Sequence, residues 1–380
     1  MRILFTRFPL ESTYGGAEVQ TLSLMKGLRE RGHDVSFLGS CPTLLAQSQN
    51  LKLKTQNLHI GPPPVTKWGA VSFWWRQNIM QKALTSKVQS LTPPPDAIGM
   101  LSISEKLLLT EWAVQQGIRV VWIEHDRVGA WLRWNPWLPK LRRLSKLATT
   151  VVVSDLSKRI YVELGWRPDD IVVIPNGIDL ERFSPVKDSI KSPHPNPLPP
   201  GEGNCSPFHI GCIARLSWEK GVDLLIGAIK DLPNVHLTIV GTGREEHHLR
   251  RLAQRITNNG QQITIVSSVP DVATFYRSLD VFVLPSRDHD PCPLAPIEAI
   301  ACGIPTIMTD ACGTAEYVQN EKEAIVIPAG SVDGLHDAIV RLMNDADLRR
   351  RLAERGPQVV TERFSMERMV GQYEKFLMKI

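Results

Sequence analysis

Short apolar runs separated by helix-length segments recur along the whole chain, and this alternation constrains the fold more than any other feature. In the first half, ILFT (Ile3 to Thr6) precedes a helix pattern from Ala17 to Arg31 with Leu22, Met25 and Leu28 at helical spacing, and VSFLG follows. After an irregular stretch come AIGML at 97–101, a helix over 105–116, VVWI at 120–123, TVVVS at 150–154, a helix to Gly165 and IVVIP at 171–175. The second half repeats the pattern: HIGCIA, a helix over 219–230, HLTIV, a helix over 244–258, ITIV, a helix over 271–278, VFVLP, a helix over 294–302, TIMT, AIVIP and helices to the end. Unbroken apolar runs alternating with helices imply parallel strands buried on both faces. The expected fold class is α/β, with two doubly wound Rossmann-like domains facing a cleft and ligands at the carboxyl ends of the strands.

Between the two series, Ser184 to Pro207 turns abruptly to Pro, Gly, Ser and Asn, with SPHPNPLPPGEGNCSP at its centre. Repeated proline removes backbone donors and fixes φ, so this stretch makes neither helix nor central strand. A chain of 380 residues also exceeds what one hydrophobic core usually serves. The expected organisation is an N-terminal domain 1–184, a linker or insertion 185–207, a C-terminal domain 208–365, and a last helix 366–380.

The most informative stretch for chemistry is Val281 to Thr309, VFVLPSRDHDPCPLAPIEAIACGIPTIMT. A buried strand breaks at Pro285 into a loop holding Arg287, Asp288, His289 and Asp290, and a helix pattern runs from Leu294 to Cys302, ended by Gly303 and Pro305. The first-turn N–H groups of such a helix point at whatever lies over the strand's carboxyl end, and the helix dipole favours an anion there. Asp290 and Glu298 frame the turn with seven residues between them. Phosphates repel carboxylates, so these acids suit neutral hydroxyls of a ribose or sugar on the same ligand. The combination points to a sugar nucleotide; the alternative is a solvent-facing Glu298 and an ordinary loop acid at 290.

Other candidates also sit at strand carboxyl ends. Gly15-Gly16-Ala17-Glu18 follows the first strand and opens a helix, which lets a backbone approach a ligand, though without a full G-x-G-x-x-G. Arg215 and Lys220 share the loop after the first strand of the second half, where both can stabilise a departing diphosphate as charge-assisted donors. Gly241 in G-T-G lines a nucleotide pocket or simply turns the chain. His125, with Asp126, follows VVWIE and is placed to donate to a sugar hydroxyl or phosphate, or is a hydrogen-bonded loop histidine. Asn176-Gly177-Ile178-Asp179 reads as a turn that closes the domain.

Composition narrows the classes. The 43% hydrophobic and 22% charged content excludes disorder as the default. Cys41, Cys205, Cys212, Cys292, Cys302 and Cys312 form neither a C-x-x-C pair nor Cys/His zinc spacing, so no metal site or disulfide framework is signalled and a reducing cytoplasm is expected. Arg2 and Arg7 break up the N-terminal apolar run, which is too short for a secretory core, and no segment approaches a membrane span. Residues 1–185 carry 23 Lys+Arg against 15 Asp+Glu, and nine of the ten tryptophans lie there. Two segments mix bases and aromatics, Lys67 to Arg76 and Trp131 to Lys146. Such mixtures suit an anionic membrane face or a lipid-linked acceptor, or are core plus a solvated face. Nucleic acid ranks last, since the basic half offers no recognised module.

Taken together, GGAE after the first strand, the HD pair at 125 and 126, VVVSDLSKR, IPNGIDLERFSP, IARLSWEKGVDLLI, IVGTGREEHHL, and LDVFVLPSR leading to PLAPIEAIACGIPTI resemble the retaining group-one glycosyltransferases of the family four type, with the GT-B fold. The resemblance covers nearly the whole chain. It implies that the first domain binds the acceptor, that Arg215 and Lys220 hold the donor diphosphate, that Glu298 binds the nucleotide ribose, and that the backbone N–H groups of Leu294 and Ala295 cradle sugar or phosphate. It further implies that Asp290 contacts the transferred sugar, that His125 meets it from the acceptor domain, and that the last helix crosses back to the first domain. The family usually has Glu where this chain has Asp290, and the Pro-rich stretch looks like an insertion. The implied activity is metal-independent, cofactor-free transfer of a hexosyl group from a UDP- or GDP-sugar to a polysaccharide, oligosaccharide or lipid-linked acceptor; the composition adds an expected place in the cytoplasm or peripherally on the inner face of the membrane. The alternatives are a nucleotide-sugar epimerase or hydrolase, and a non-catalytic sugar-nucleotide or glycan-binding protein.

Overall fold

The structure, a computed structural model, describes residues 1–9, 15–127, 130–185, 207–256 and 262–379. It divides into two compact units, Met1–Gly177 with Met366–Ile380, and Ile178–Ser365. In the first unit the strands are β1 (Arg2–Arg7), β2 (Asp34–Gly39), β3 (Lys54–Asn57), β4 (Ala97–Met100), β5 (Arg119–Glu124), β6 (Thr149–Val152) and β7 (Ile171–Val173). They form one sheet in the order β3-β2-β1-β4-β5-β6-β7, every neighbouring pair parallel. The chain winds outward from β1 to β3 and then restarts at β4 on the other side. The strand order therefore reverses between β1 and β4, opening a crevice at their carboxyl ends.

Both faces of the middle of this sheet are covered, which is why β1, β4 and β5 read as apolar runs, whereas the edge strand β3 (KTQN) does not. Leu4, Ile98, Met100 and Trp122 point into one core with Leu108, Trp137 and Trp166. Ile3, Phe5, Val121 and Ile123 point into the other, which the helix Met366–Lys379 helps to close with Met369, Val370, Tyr373 and Leu377. That helix packs directly on Gly16–Glu30: a Cβ at Gly27 would stand 2.5 Å from Val370 Cγ2, and Arg31 pairs with Glu374 at 2.7 Å.

The second unit contains β8 (Phe208–Ile213), β9 (Val235–Val240), β10 (Gln262–Val266), β11 (Val281–Leu284), β12 (Thr306–Thr309) and β13 (Ile325–Ile327). Their order is β10-β9-β8-β11-β12-β13, again all parallel, with the reversal between β8 and β11. The chain is thus α/β with two Rossmann-like domains, as the periodicity implies.

Three features depart from the sequence reading. The stretch between VSFLG and AIGML is not irregular: it contains the helix Pro42–Asn50, β3 and a 23-residue helix, Lys67–Gln89. The last of these has apolar side chains on two opposite faces, which cancels the periodic signal. The helix expected over 219–230 is broken by Gly221, whose φ of +64° separates a 3₁₀ turn, Trp218–Lys220, from the helix Val222–Ala228. The first unit stops at Gly177, before the expected boundary at 184. Residues 178–185 join the second unit because Ile178 N donates to Phe364 O at 2.8 Å, Phe183 packs edge-on against Tyr276, and Arg277 donates to Ser184 O. Most of the expected linker, 186–206, lies outside the described residues.

Candidate active site

In the second unit the loops leaving β8 and β11 meet over the β8/β11 crevice. Arg287 N donates to Glu219 O at 2.9 Å, and a Cβ at Gly221 would lie 2.1 Å from Pro285 O, so only glycine lets the two backbones come this close. The loop after β9 is laced to the same place. Leu216 N donates to Thr242 O at 2.8 Å, Glu245 N to Leu216 O at 2.9 Å, and a Cβ at Gly241 would stand 1.9 Å from Ala214 O. Gly241 therefore sets the path of the segment that carries Arg215.

Lys220 comes out of this arrangement pointing at Asp290. Its Nζ donates to Asp290 Oδ2 at 2.5 Å, and Ser286 Oγ donates to the same oxygen at 2.9 Å. The Asp290 backbone is pinned on both sides, its N–H donating to Ala311 O and its carbonyl accepting from Gly313 N. Arg215 is more exposed and pairs loosely with Glu219 at 3.6 Å. Beside it, Arg287 is clamped by both Asp223 oxygens at 2.7 and 2.6 Å and lies over the Trp218 ring at 4.9 Å. Trp218 and Arg287 thus buttress the wall next to Lys220.

The helix Leu294–Ala301 starts four residues after Asp290, with Pro293 as its N-cap. Prolines at 293 and 296 lack N–H groups, so the donors of the first turn that no intrahelical carbonyl can take up are those of Leu294 and Ala295. These two N–H groups and the dipole behind them make an anion site. One turn further on, Glu298 Oε2 accepts from Tyr276 Oη at 2.9 Å. Burial pushes the Glu298 carboxyl up to about 7, although the Tyr276 hydrogen bond and Arg182 pull the other way. Tyr276, fully buried between Phe183 and Phe282, fixes one carboxylate oxygen and leaves the other to accept from a ligand hydroxyl.

The first unit holds a separate polar cluster at the carboxyl ends of β1 and β5. Arg7, buried, donates to Glu18 Oε1 at 2.7 Å and pairs with Asp126 at 3.3 Å, while the other Glu18 oxygen accepts from Gly15 N at 3.2 Å and so caps the helix that Gly16 begins. Glu124 pairs with buried Lys106 at 2.7 Å. His125 Nδ1 lies 3.2 Å from Asn176 Oδ1. Burial first, then the Arg7 and Lys106 charges, push the imidazole down to about 4, outweighing Asp126 and Asn176. The ring is therefore neutral, with Nδ1 held beside the Asn176 side-chain amide. Nε2 is buried and has no hydrogen-bond partner among the described residues, which leaves it to a ligand group.

The structure thus gathers Arg215, Lys220, Gly241, Asp290, Leu294, Ala295 and Glu298 on the carboxyl side of the second sheet, and Gly15, Gly16 and His125 on that of the first. Sequence reading missed Asn176, Tyr276 and Ser286. The N-G signal at 176 masked a side chain that orients His125, and neither Tyr276 nor Ser286 carries a local pattern. Among the described residues, no group of three or more His, Cys, Asp or Glu could hold a metal ion, and no helix is long and apolar enough to cross a membrane.

Comparison with known proteins agrees with this fold. Residues 14–182 match the model of Glycosyltransferase Family 4 and residues 204–359 that of Glycosyl transferases group 1. The chain is 30% identical over 43% of its length to a lipopolysaccharide core biosynthesis glycosyltransferase of Rhizobium meliloti. It is 31% identical over 52% of its length to a GDP-mannose-dependent phosphatidylinositol monomannoside mannosyltransferase of Corynebacterium glutamicum. The chain spans about half the length of these relatives, 48% and 53%. A second Rhizobium meliloti lipopolysaccharide core glycosyltransferase matches at 28% over 71% of this chain and 80% of its own. Among solved structures, Anabaena HepE in complex with UDP superposes with a TM-score of 0.81 at 18% identity, covering all of both chains. The lipopolysaccharide biosynthesis glycosyltransferase WaaG does so with 0.69 at 15% identity, covering 99% of each. With two family models tiling its two Rossmann-like units, the chain belongs to the group-one glycosyltransferases of GT-B fold.

Proposed function

We propose that this chain is a retaining, metal-independent hexosyltransferase that uses a nucleotide-diphosphate sugar, UDP-sugar first and GDP-sugar second, and a glycan or lipid-linked acceptor. The observation that carries the reading is the pairing of Lys220 with Asp290 just ahead of the Leu294/Ala295 donor pair: a cation and a helix N-terminus at one strand-order reversal. Support for the donor comes from HepE, solved with UDP and with UDP-glucose. Support for the acceptor comes from relatives named for lipopolysaccharide core and capsular polysaccharide synthesis.

In this mechanism the diphosphate takes Lys220 over from Asp290, joined by Arg215 and the two helix N–H groups, and Glu298 accepts from a ribose hydroxyl. Released from Lys220, Asp290 accepts from a hydroxyl of the sugar. The bond from the anomeric carbon to the phosphate oxygen breaks while the acceptor oxygen bonds the same face of that carbon, and the acceptor proton passes to the departing phosphate. Lys220, Arg215 and the dipole stabilise the charge that grows on that phosphate, an interaction stronger in the transition state than before it. His125 offers Nε2 for a hydrogen bond with a ligand hydroxyl in the first unit.

The test is thermal shift of wild type and Lys220→Ala with UDP, GDP and ADP, each with and without EDTA, followed by mass spectrometry of candidate acceptors incubated with the matching donor sugars. The expected result is stabilisation by one nucleotide that survives EDTA, fades in Lys220→Ala, and pairs with acceptor gaining one hexose. No response to any nucleotide, or donor consumed without glycosylated acceptor, overturns the reading.

A further inference from the structure

The helix Lys67–Gln89 carries two apolar faces, and only one is used inside the protein. Ala70, Phe73, Met80, Leu84 and Val88 recur at helical spacing and are buried. This face is locked by Trp137, which packs edge-on against Phe73 at 5.0 Å and donates its indole N–H to Ala70 O at 2.9 Å. On the opposite face, at the same spacing, Trp68 is 84% exposed, Val71 48%, Trp75 74% and Ile79 74%, with Trp74 beside them at 61%. Trp134, in the segment that leads into Trp137, is 87% exposed. A soluble surface rarely sets so many large apolar side chains in a row, and solvent does not reward keeping them there.

The charge around this face is one-sided. From Val35 to Pro95 the chain has no Asp or Glu at all, and it has none from Arg127 to Ser154. Lys67 and Lys82 are exposed at the two ends of the apolar row, and Arg76 flanks it, its guanidinium bonded to Pro62 O and Ser72 rather than to a carboxylate.

We propose that the Trp68/Val71/Trp75/Ile79 face lies in the interface of an anionic lipid bilayer. Indole rings prefer the headgroup boundary, where the ring is apolar and the N–H stays wet, and lysines at the ends of the row extend their ammonium groups to anionic headgroups. An amphipathic element of this kind lies in the plane of the membrane without crossing it. A second copy of the chain fits poorly, because self-association would press together two helices that each carry Lys67, Arg76 and Lys82 and no acid. A nucleic-acid backbone fits poorly as well, since the middle of the row offers rings rather than cations to the phosphates.

The test is co-sedimentation of the full chain with large vesicles of phosphatidylcholine alone and of phosphatidylcholine with 30 mol% phosphatidylglycerol, read also by tryptophan emission. Vesicles with phosphatidylglycerol are expected to bind the protein and shift its emission to the blue, with about fivefold weaker partitioning for each of Lys67→Glu and Lys82→Glu. The triple variant Trp68→Ser/Trp75→Ser/Ile79→Ser is expected to lose at least tenfold in partitioning. Its circular dichroism and melting should match wild type because all three sites are exposed, and Trp68→Ser alone serves as the milder probe. Three results would each overturn the proposal: absence of binding to phosphatidylglycerol vesicles, binding unchanged in the two lysine variants and the triple variant, or a dimer in light scattering that the triple variant abolishes. Duplex DNA that competes the protein off the vesicles through the same tryptophans would reassign the face to nucleic acid.

Discussion

Deleting the carboxylate of Asp290 tests how Lys220, the cation proposed to bind the diphosphate, is held before the donor arrives. The side chains of Lys220 and Asp290 are 17% and 9% exposed, so the pair sits under partial cover. Among the described residues it is the one ion pair Lys220 makes. Removing one partner of a fully buried pair costs ~3–5 kcal/mol, because the other charge is left without compensation. With the cover here incomplete, Asp290→Ala is expected to cost ~2–3 kcal/mol. For a unit of this size that is a fall in Tm of roughly 5–10 °C. A nucleotide diphosphate should reverse the loss. In wild type it must displace the carboxylate from Lys220, whereas in Asp290→Ala it finds a cation with no counter-ion. The UDP-induced rise in Tm is therefore expected to be larger in the variant, and the two proteins should converge at saturating UDP. Differential scanning fluorimetry across a UDP titration measures both effects, with Ser286→Ala as a milder control that removes only the hydroxyl donor to Asp290. An Asp290→Ala Tm equal to that of wild type would refute the idea that Asp290 holds Lys220. A smaller UDP shift in the variant would refute the exchange of carboxylate for phosphate.

Two further perturbations probe the other titrating groups. Glu298 titrates at about 7 in the fold, chiefly through burial, against 4.5 unperturbed. The native state thus keeps a proton that the unfolded chain releases, and the associated stability is present below 4.5 and lost as pH rises to about 7. Glu298→Gln should flatten that slope, gaining up to ~3 kcal/mol over wild type at pH 8 and little at pH 4.5 while weakening nucleotide binding; parallel melting profiles from pH 4.5 to 8 would show an ordinary carboxyl. His125 is shifted the other way, to about 4, so its contribution to stability is lost as pH falls from 6.5 towards 4. Asn176→Asp should raise the imidazole pKa by placing a carboxylate at Nδ1, moving both its titration by NMR and the acid limb of the pH–rate profile upward, and an unmoved titration would separate Asn176 from His125.

The parts of this protein that were legible in its sequence are those whose physics is local. Strands covered on both faces had to be continuous apolar runs, and IVVIP, HLTIV and VFVLP announced themselves as such. A helix opening just after a strand marked its first-turn N–H groups as an anion site, and the resemblance to the group-one glycosyltransferases singled out those of Leu294 and Ala295. The helix Lys67–Gln89 was lost for an equally physical reason, since a helix with apolar side chains on opposite faces has no single polar side to betray its period. The partners of the reactive groups were out of reach altogether. Lys220 and Asp290 are 70 residues apart and His125 and Asn176 51. The first pair meets only because β11 lies against β8 in a sheet whose order the local pattern does not encode.

Topology also gives the substitution at 290 its meaning. With the backbone of Asp290 fixed to Ala311 on one side and Gly313 on the other, the chain cannot move to compensate for a side chain of different length. One methylene fewer than glutamate keeps the carboxylate at hydrogen-bond distance from Lys220 and Ser286. A glutamate there would carry its charge past both. Asp290→Glu should therefore weaken the hold on Lys220 while lengthening the reach toward the sugar. A change in which donor sugars are accepted, without a change in which nucleotide binds, is what this geometry requires of that variant.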